Sequence, residues 1–393
     1  MLALVYGYRE FMKGTIDATA REVSNVTVMV HHNRLSEVSR YIPLGGYLSH
    51  VRIFTLDRLV DESDKPENVT TKVISLLYFT PDGRNIHLGD DLFRRADDLI
   101  QRSAVKFDII QAHFTWPCGY AAVKLGQKYG VPVVVVLHEE MDQVSQMASS
   151  PNPRFRWTWM NASGLVRVNK RDIPLLGLYN KEVVFATVGY NPKDFFPMPK
   201  EIARNAIGLS RNAKVIFALG YLDKRKGFRF LVQAIRDLEK ASPNLICIIG
   251  GTGPMRHDLE SGAKALGLAK NISFPGYIPR EKLNYYYNAA DLVVHPSLSE
   301  NGPTVMYESL ACGVPFIGTV VGAIPMVISS DEYGLLARTG DSKDLAQKIG
   351  QGLEKSWDRE KIHSYSQQYT WDRVVKPILE LQQRLVTQRV ASK

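Results

Sequence analysis

A chain of 393 residues, 45% hydrophobic and 23% charged, is long enough for two packed domains, since one domain takes about 100–200 residues. Three scattered cysteines, Cys118, Cys247 and Cys312, lack CxxC spacing, which argues against a disulfide framework or a zinc site and favours a reducing, cytoplasmic setting. The net charge of +9 is uneven, roughly +2 on residues 1–195 and roughly +7 beyond; it suits an anionic small ligand or a lipid surface, while the lack of zinc-finger spacing, an RNP-like motif or a dense Lys/Arg stripe argues against nucleic acid.

In chain order, the first half reads as strand Leu2–Tyr6, a helix near Ile16–Val23, strands Val26–Val30, Val51–Leu56 and Val73–Phe79, helix Leu92–Ser103 and strand Asp108–Gln111. Helix Tyr120–Tyr129, strand Val133–Leu137, helix Arg154–Asn161 and strands Gly164–Val168 and Val183–Ala186 follow. The longest apolar run, Val131 to Leu137, falls far short of the ~20 residues that span a bilayer, so a soluble or peripheral protein is expected. The Pro-rich stretch Asn191 to Pro199 interrupts the pattern and reads as a linker. From Lys214 the alternation resumes: Val215–Leu219, Phe228–Leu238, Leu245–Ile249, Met255–Leu266, Ile272–Phe274, Glu281–Asn288, Leu292–His295, Thr304–Ala311 and Pro315–Ile317. Such alternation signals βαβ units and a parallel sheet in each half, with right-handed crossovers. Trp371 to Val386 has helical apolar spacing, bent or begun near Pro377.

Chemistry concentrates in the second half. Glu300 and Glu308, with seven residues between them in Ser-Leu-Ser-Glu300-Asn-Gly-Pro-Thr-Val-Met-Tyr-Glu308, read as a loop acid and an acid about 1.4 turns into a helix that starts at Pro303. A helix N-terminus suits a phosphate, and carboxylates beside it accept hydrogen bonds from sugar hydroxyls. Upstream, Gly220-Tyr-Leu-Asp-Lys-Arg-Lys226-Gly227 follows a strand as a glycine turn with lysine, suited to a diphosphate. Gly250-Gly251-Thr-Gly253-Pro254 is a second strand-to-helix glycine loop, followed by Phe274-Pro-Gly276-Tyr277. In the first half, His113 lies in Ala-His-Phe-Thr-Trp-Pro-Cys-Gly119, and His138 closes the run Val133 to Leu137. A lone strand-end histidine is more often structural than catalytic. His31, His32 and His295 lack metal-ligand partner spacing and read as structural or acceptor-facing.

Taken in order, Lys226-Gly227, Gly-Gly-x-Gly-Pro, Phe-x-Gly, Ala290-Asp-Leu-Val-Val, Glu300-x7-Glu308 and Ala311-Cys-Gly-Val-Pro315 resemble the retaining glycosyltransferases of family 4. The resemblance implies an α/β GT-B fold: two doubly wound, Rossmann-like domains facing each other across a cleft. Residues 1–193 would form the acceptor side and 194–368 the nucleotide-sugar side, with 369–393 a helix and tail crossing back to the first domain. It further implies that Lys226 and the amides near Thr304 and Val305 stabilise the leaving diphosphate, Glu308 accepts from the ribose hydroxyls, Glu300 meets the donor sugar and His138 orients it. Gly220, Arg225, Gly251 and Gly302 would line the donor pocket, with Tyr277 beside the base; Gly14 and His113 would serve the acceptor side. The implied partners are a nucleoside-diphosphate-sugar and a glycan or lipid-linked acceptor, with peripheral contact at the inner face of the membrane. No cofactor or metal is implied, and no protein nucleophile, because in that family the leaving phosphate is thought to take the acceptor proton.

The chain departs from the family pattern at Tyr221, where Arg is usual, and at Ala323 and Met326, where Gly and Glu are usual. Gly7 and Gly14 stand in place of adjacent glycines after the first strand. Two other readings remain open: a catalytically silent nucleotide-sugar-binding protein, and a hydrolase or phosphorylase using Glu300 and Glu308 as paired carboxylates.

Overall fold

The computed structural model describes residues 1–38, 54–78, 85–140, 142–239 and 242–391. Its chain packs into two units, Met1–Val188 with Trp371–Lys393, and Gly189–Thr370.

The first unit is built on β1 (Leu2–Val5), β2 (Val26–Asn33), β3 (Val69–Leu76), β4 (Ile110–His113), β5 (Val133–Leu137), β6 (Gly164–Arg167) and β7 (Val183–Phe185). They pair in parallel in the order β3-β2-β1-β4-β5-β6-β7. Near-continuous apolar runs are what a parallel sheet covered on both faces demands. Alternation shows how they are used: Leu2, Leu4, Val133 and Val135 enter one core, whereas Ala3, Val5, Val134 and Val136 enter another on the opposite face. Successive strand residues point to opposite sides, so each β-strand serves two cores at once.

Lys376–Ala391 is helical and buries Ile378, Leu381 and Leu385 in the second of these cores. A shorter helix, Trp371–Val374, precedes it. Pro377 falls in the first turn of the longer helix, where its missing N–H breaks no intrahelical bond. The C-terminal segment is therefore part of the first unit.

The second unit holds β8 (Lys214–Leu219), β9 (Leu245–Gly250), β10 (Ile272–Gly276), β11 (Leu292–His295), β12 (Phe316–Thr319) and β13 (Gly334–Ala337). All pair in parallel, in the order β10-β9-β8-β11-β12-β13. Helix Phe228–Glu239 buries Phe228, Leu231, Val232, Ala234 and Ile235, the stripe expected of a helix lying on a sheet. In both sheets the strand order reverses between the first and fourth strands, β1 beside β4 and β8 beside β11. Ligand crevices in open α/β sheets lie beyond the carboxyl ends at such a reversal.

Three expectations are corrected. Asn191 to Pro199 is more than a linker: Phe196 N–H and Met198 N–H donate to the Asn284 and Asn288 side chains at 3.2 and 2.8 Å, and Phe195 packs on Tyr287. Those bonds make the stretch a strap on helix Arg280–Ala289 of the second unit. Gly14 does not precede the first helix but lies inside it, in Glu10–Ala20, where a Cβ would overlap the Trp371 ring. Its lack of a side chain admits the C-terminal segment, a packing role. Of the expected strand Val51–Leu56, residues 51–53 lie outside the described residues, and Leu56 opens the helical turn Leu56–Leu59; the end of Val73–Phe79 likewise lies outside them.

Candidate functional site

The loops that leave β8 and β11 are neighbours because those strands are. After β8, the Asp223 carboxylate accepts the Lys226 N–H at 3.1 Å and so closes a single turn, Lys224–Lys226, ending at Gly227 with φ +66°. A Cβ at Gly227 would collide with the Pro296 carbonyl; only glycine combines that dihedral with that approach. The Arg225 carbonyl accepts the Leu298 N–H at 2.6 Å. The basic turn is thereby laced to the segment leading to Glu300. From the other side, Gly251, with φ +122°, presses on the Gly220 carbonyl, and Leu222 N–H donates to the Thr252 carbonyl at 2.8 Å.

At the junction, three donors converge on one carboxylate oxygen. Glu300 Oε1 accepts from Lys226 Nζ, from His295 Nε2 at 2.6 Å and from Ser297 Oγ at 3.0 Å. Glu300 is 8% exposed. Burial pushes its carboxyl up, but the His295 hydrogen bond and the Lys226 charge outweigh burial and hold it well below the usual carboxylate range. Burial pushes His295 down despite Glu300, so the imidazole is neutral and donates its Nε2 proton. The result is a carboxylate and an ammonium held side by side, one able to accept sugar hydroxyls and the other to meet a phosphate.

Glu308 lies on helix Thr304–Ala311 and is also 8% exposed; it accepts the Tyr287 hydroxyl at 2.5 Å. The first-turn amides of Thr304 and Val305 have no acceptor within the helix, and Gly302 lies in the loop just ahead of Pro303. Gly220 follows β8 directly, its N–H bonded to the Gly250 carbonyl at 3.2 Å. Arg225 pairs with Asp223 at 2.9 Å. Tyr277 follows β10 and is 74% exposed. Ala323, a departure from the family pattern, donates its N–H to the Asn301 carbonyl at 2.8 Å and braces the Glu300 loop.

In the first unit, β4 and β5 bring His113 and His138 together, with His113 Nδ1 2.9 Å from His138 Nε2 and the rings stacked at 5.1 Å. Arg167, buried in an ion pair with Asp172, donates to the Leu137 carbonyl at 2.9 Å and fastens the end of β5 beside them. Burial pushes His113 down to about 3; burial first, then the His113 and Arg167 charges, push His138 well below its ordinary value. Where adjacent glycines were the family norm, the loop after β1 carries aromatic rings. Tyr6 donates to the Trp116 carbonyl at 2.7 Å, and the buried Tyr8 bonds Asp17.

The depressed His113 sets a pH dependence. A histidine that stays neutral when folded but protonates near 6.5 when unfolded contributes stability that is complete above about pH 6.5 and is lost as pH falls toward about 3. Denaturant unfolding of the wild type is expected to lose about 2 kcal/mol more than His113→Gln between about pH 7 and about pH 5. Equal losses in the two proteins would contradict the assignment.

The sequence alone missed His295, Ser297 and Tyr287 as members of the site. The usable signal was position: His295 ends β11, at the strand reversal and five residues before Glu300.

A family model described as "Glycosyl transferases group 1" matches residues 199–369, and one described as "Glycosyltransferase Family 4" matches residues 48–170. A D-inositol 3-phosphate glycosyltransferase from Corynebacterium urealyticum is 31% identical over 223 residues, 53% of this chain and 53% of that protein. The chain thus spans about half the length of that curated relative. Among solved structures, sucrose-phosphate synthase from Thermosynechococcus elongatus superposes with a TM-score of 0.72 at 19% identity, covering 100% of this chain and 99% of that one. HepE from Anabaena, solved in complex with UDP and glucose, gives a TM-score of 0.67 at 16% identity, covering 100% and 99%. Both likenesses are of fold.

Proposed function

We propose that this chain, which belongs to the group 1 glycosyltransferases of family 4, moves a sugar from a nucleoside-diphosphate donor to an acceptor hydroxyl with retention at the anomeric carbon. The observation that carries the reading is the convergence of Lys226, His295 and Ser297 on Glu300 beside the N-terminus of helix Thr304–Ala311. It joins a cation suited to a phosphate and a carboxylate suited to sugar hydroxyls at the sheet's strand reversal.

In this reading the acceptor oxygen bonds to the anomeric carbon as the bond from that carbon to the phosphate oxygen breaks. The acceptor proton passes to the leaving phosphate. Lys226 and the Thr304 and Val305 amides meet the growing negative charge, Glu308 accepts from the ribose, and Glu300 holds the sugar. His138 orients the sugar, and His113 serves the acceptor side. No metal takes part, because Lys226 supplies the positive charge. The acceptor is a glycan, a lipid-linked saccharide or a phosphorylated polyol; the last class is suggested by the relatives named for D-inositol 3-phosphate. The chain would work in the cytoplasm, peripherally at a membrane where the acceptor is lipid-linked; among the described residues no helix is long and apolar enough to cross one.

A thermal-shift screen of UDP- and GDP-sugars tests donor binding. At a donor concentration of 100 Kd, stabilisation of about 2.7 kcal/mol is expected, undiminished by a chelator. No shift with any nucleotide-sugar would overturn the donor site, and loss of the shift in chelator would overturn metal independence.

A further inference from the structure

Four side chains of the first unit form one hydrogen-bonded line. Gln382, on helix Lys376–Ala391, places its amide nitrogen 2.6 Å from Gln111 Oε1. Gln111 Nε2 lies 2.9 Å from His113 Nε2, and His113 Nδ1 lies 2.9 Å from His138 Nε2. Gln382, Gln111 and His113 are all buried, so each polar atom must find its partner within the protein.

The direction of the line follows from what each atom can do. The Gln382 amide nitrogen also lies 3.8 Å from Met1 Sδ, a thioether that accepts weakly and never donates. That contact favours the nitrogen, not the oxygen, of Gln382 at this end of its amide. Gln111 then turns its oxygen toward Gln382 and its NH₂ toward His113. An NH₂ group only donates here, so His113 Nε2 is the bare, accepting nitrogen, and the single proton of the neutral ring sits on Nδ1. That proton is donated to His138 Nε2. Neutral His138 therefore carries its own proton on Nδ1. Burial keeps both rings neutral at ordinary pH, so the chain of donors is not broken by a second proton.

We propose that Gln382 and Gln111 are positioning residues that set the tautomer of His138, so that the C-terminal helix decides which of its nitrogens donates during transfer. The consequence for transfer rests on the reading of His138 as part of the transfer machinery; the tautomer itself does not. A strand-end histidine whose proton is placed in advance enters the reaction in one tautomer, without reorganising during the reaction.

The test is a long-range ¹H–¹⁵N correlation spectrum of protein labelled with ¹⁵N-histidine, recorded without substrate. The expected result is His113 and His138 each neutral, each protonated on Nδ1. Gln111→Met, which removes the donor at similar volume, is expected to give mixed tautomers at both rings and to lower kcat about tenfold, with donor KM changed less than twofold. Gln382→Met is expected to shift the same signals in the same direction and serves as the readout where Gln111→Met fails to fold. His138 protonated on Nε2 in the wild type, or unchanged tautomers in both variants, overturns the proposal. Expected tautomers in a protein that transfers from no donor would overturn the transferase reading and leave the relay standing.

Discussion

Gly251→Val is expected to destabilise the protein by about 3 kcal/mol or more and to abolish donor binding. Two costs coincide at this position. A φ of +122° lies in a region that β-branched residues avoid, and any Cβ there would overlap the Gly220 carbonyl oxygen and meet its carbon at 2.9 Å. The obstruction is backbone, so no rotamer relieves it. Moving Gly220 aside would pull on its N–H bond to the Gly250 carbonyl at 3.2 Å, and moving Gly251 would pull on its own bond to the Gly276 carbonyl at 2.7 Å. The same displacement travels along the turn that carries Lys226. Gly262→Ala is the matched control. Gly262 lies within helix Arg256–Ala265 and, apart from its chain neighbours and the helix's own backbone, nothing lies within 4 Å of its would-be Cβ, so alanine there is expected to stabilise by up to about 1 kcal/mol. Denaturant unfolding and donor thermal shifts on the two variants check both expectations; a Gly251→Val protein that binds donor normally would contradict the loop's role.

The second large effect is a split between two variants. Lys226→Ala is expected to lower kcat about 10²–10³-fold, the loss typical when one preorganised group facing a developing oxyanion is removed. His295 and Ser297 still hold Glu300 in that variant, so the loop keeps two of its three anchors. Glu308→Gln keeps an oxygen for the Tyr287 hydroxyl but removes the charge of the carboxylate proposed to accept ribose hydroxyls. It is expected to raise donor KM about tenfold with a smaller change in kcat. Steady-state kinetics separates them. Were both variants to lose only affinity, Lys226 would be a binding group that contributes nothing specific to bond breaking.

How far the sequence could be read depended on what kind of fact was needed. The two parallel sheets were legible because strands buried on both faces must be apolar, as in Val133–Leu137 and the Leu292–Val294 part of β11. The Glu300 and Glu308 pair was legible because its spacing resembles a family motif and Pro303 marks the helix start between them. Glycine roles were harder. Gly251 and Gly227 were found because they sit between a strand and a helix, whereas Gly14 was misread as a loop residue. Its true neighbour, Trp371, is far along the chain, and no local pattern announces such a contact. His295 was passed over for a similar reason. Its chemistry comes from Glu300 and Lys226 arriving beside it, and only the β8–β11 adjacency puts them there. The Gln382–Gln111–His113–His138 line joins the middle of the first unit's long segment to its C-terminal helix, and glutamines carry no spacing signal at all.

The most direct measurement is acceptor-dependent product formation from a nucleoside-diphosphate-sugar that binds in the thermal-shift screen, with the anomeric configuration of the product read by NMR. The acceptors would include saccharides, lipid-linked saccharides and polyol phosphates, and Lys226→Ala would be run in parallel. The expected result is a new glycosidic bond with the donor's anomeric configuration retained, formed only with acceptor present and lost in Lys226→Ala. Hydrolysis of the donor alone, inversion of configuration, or full activity in Lys226→Ala would contradict a retaining transfer centred on Glu300 and Lys226.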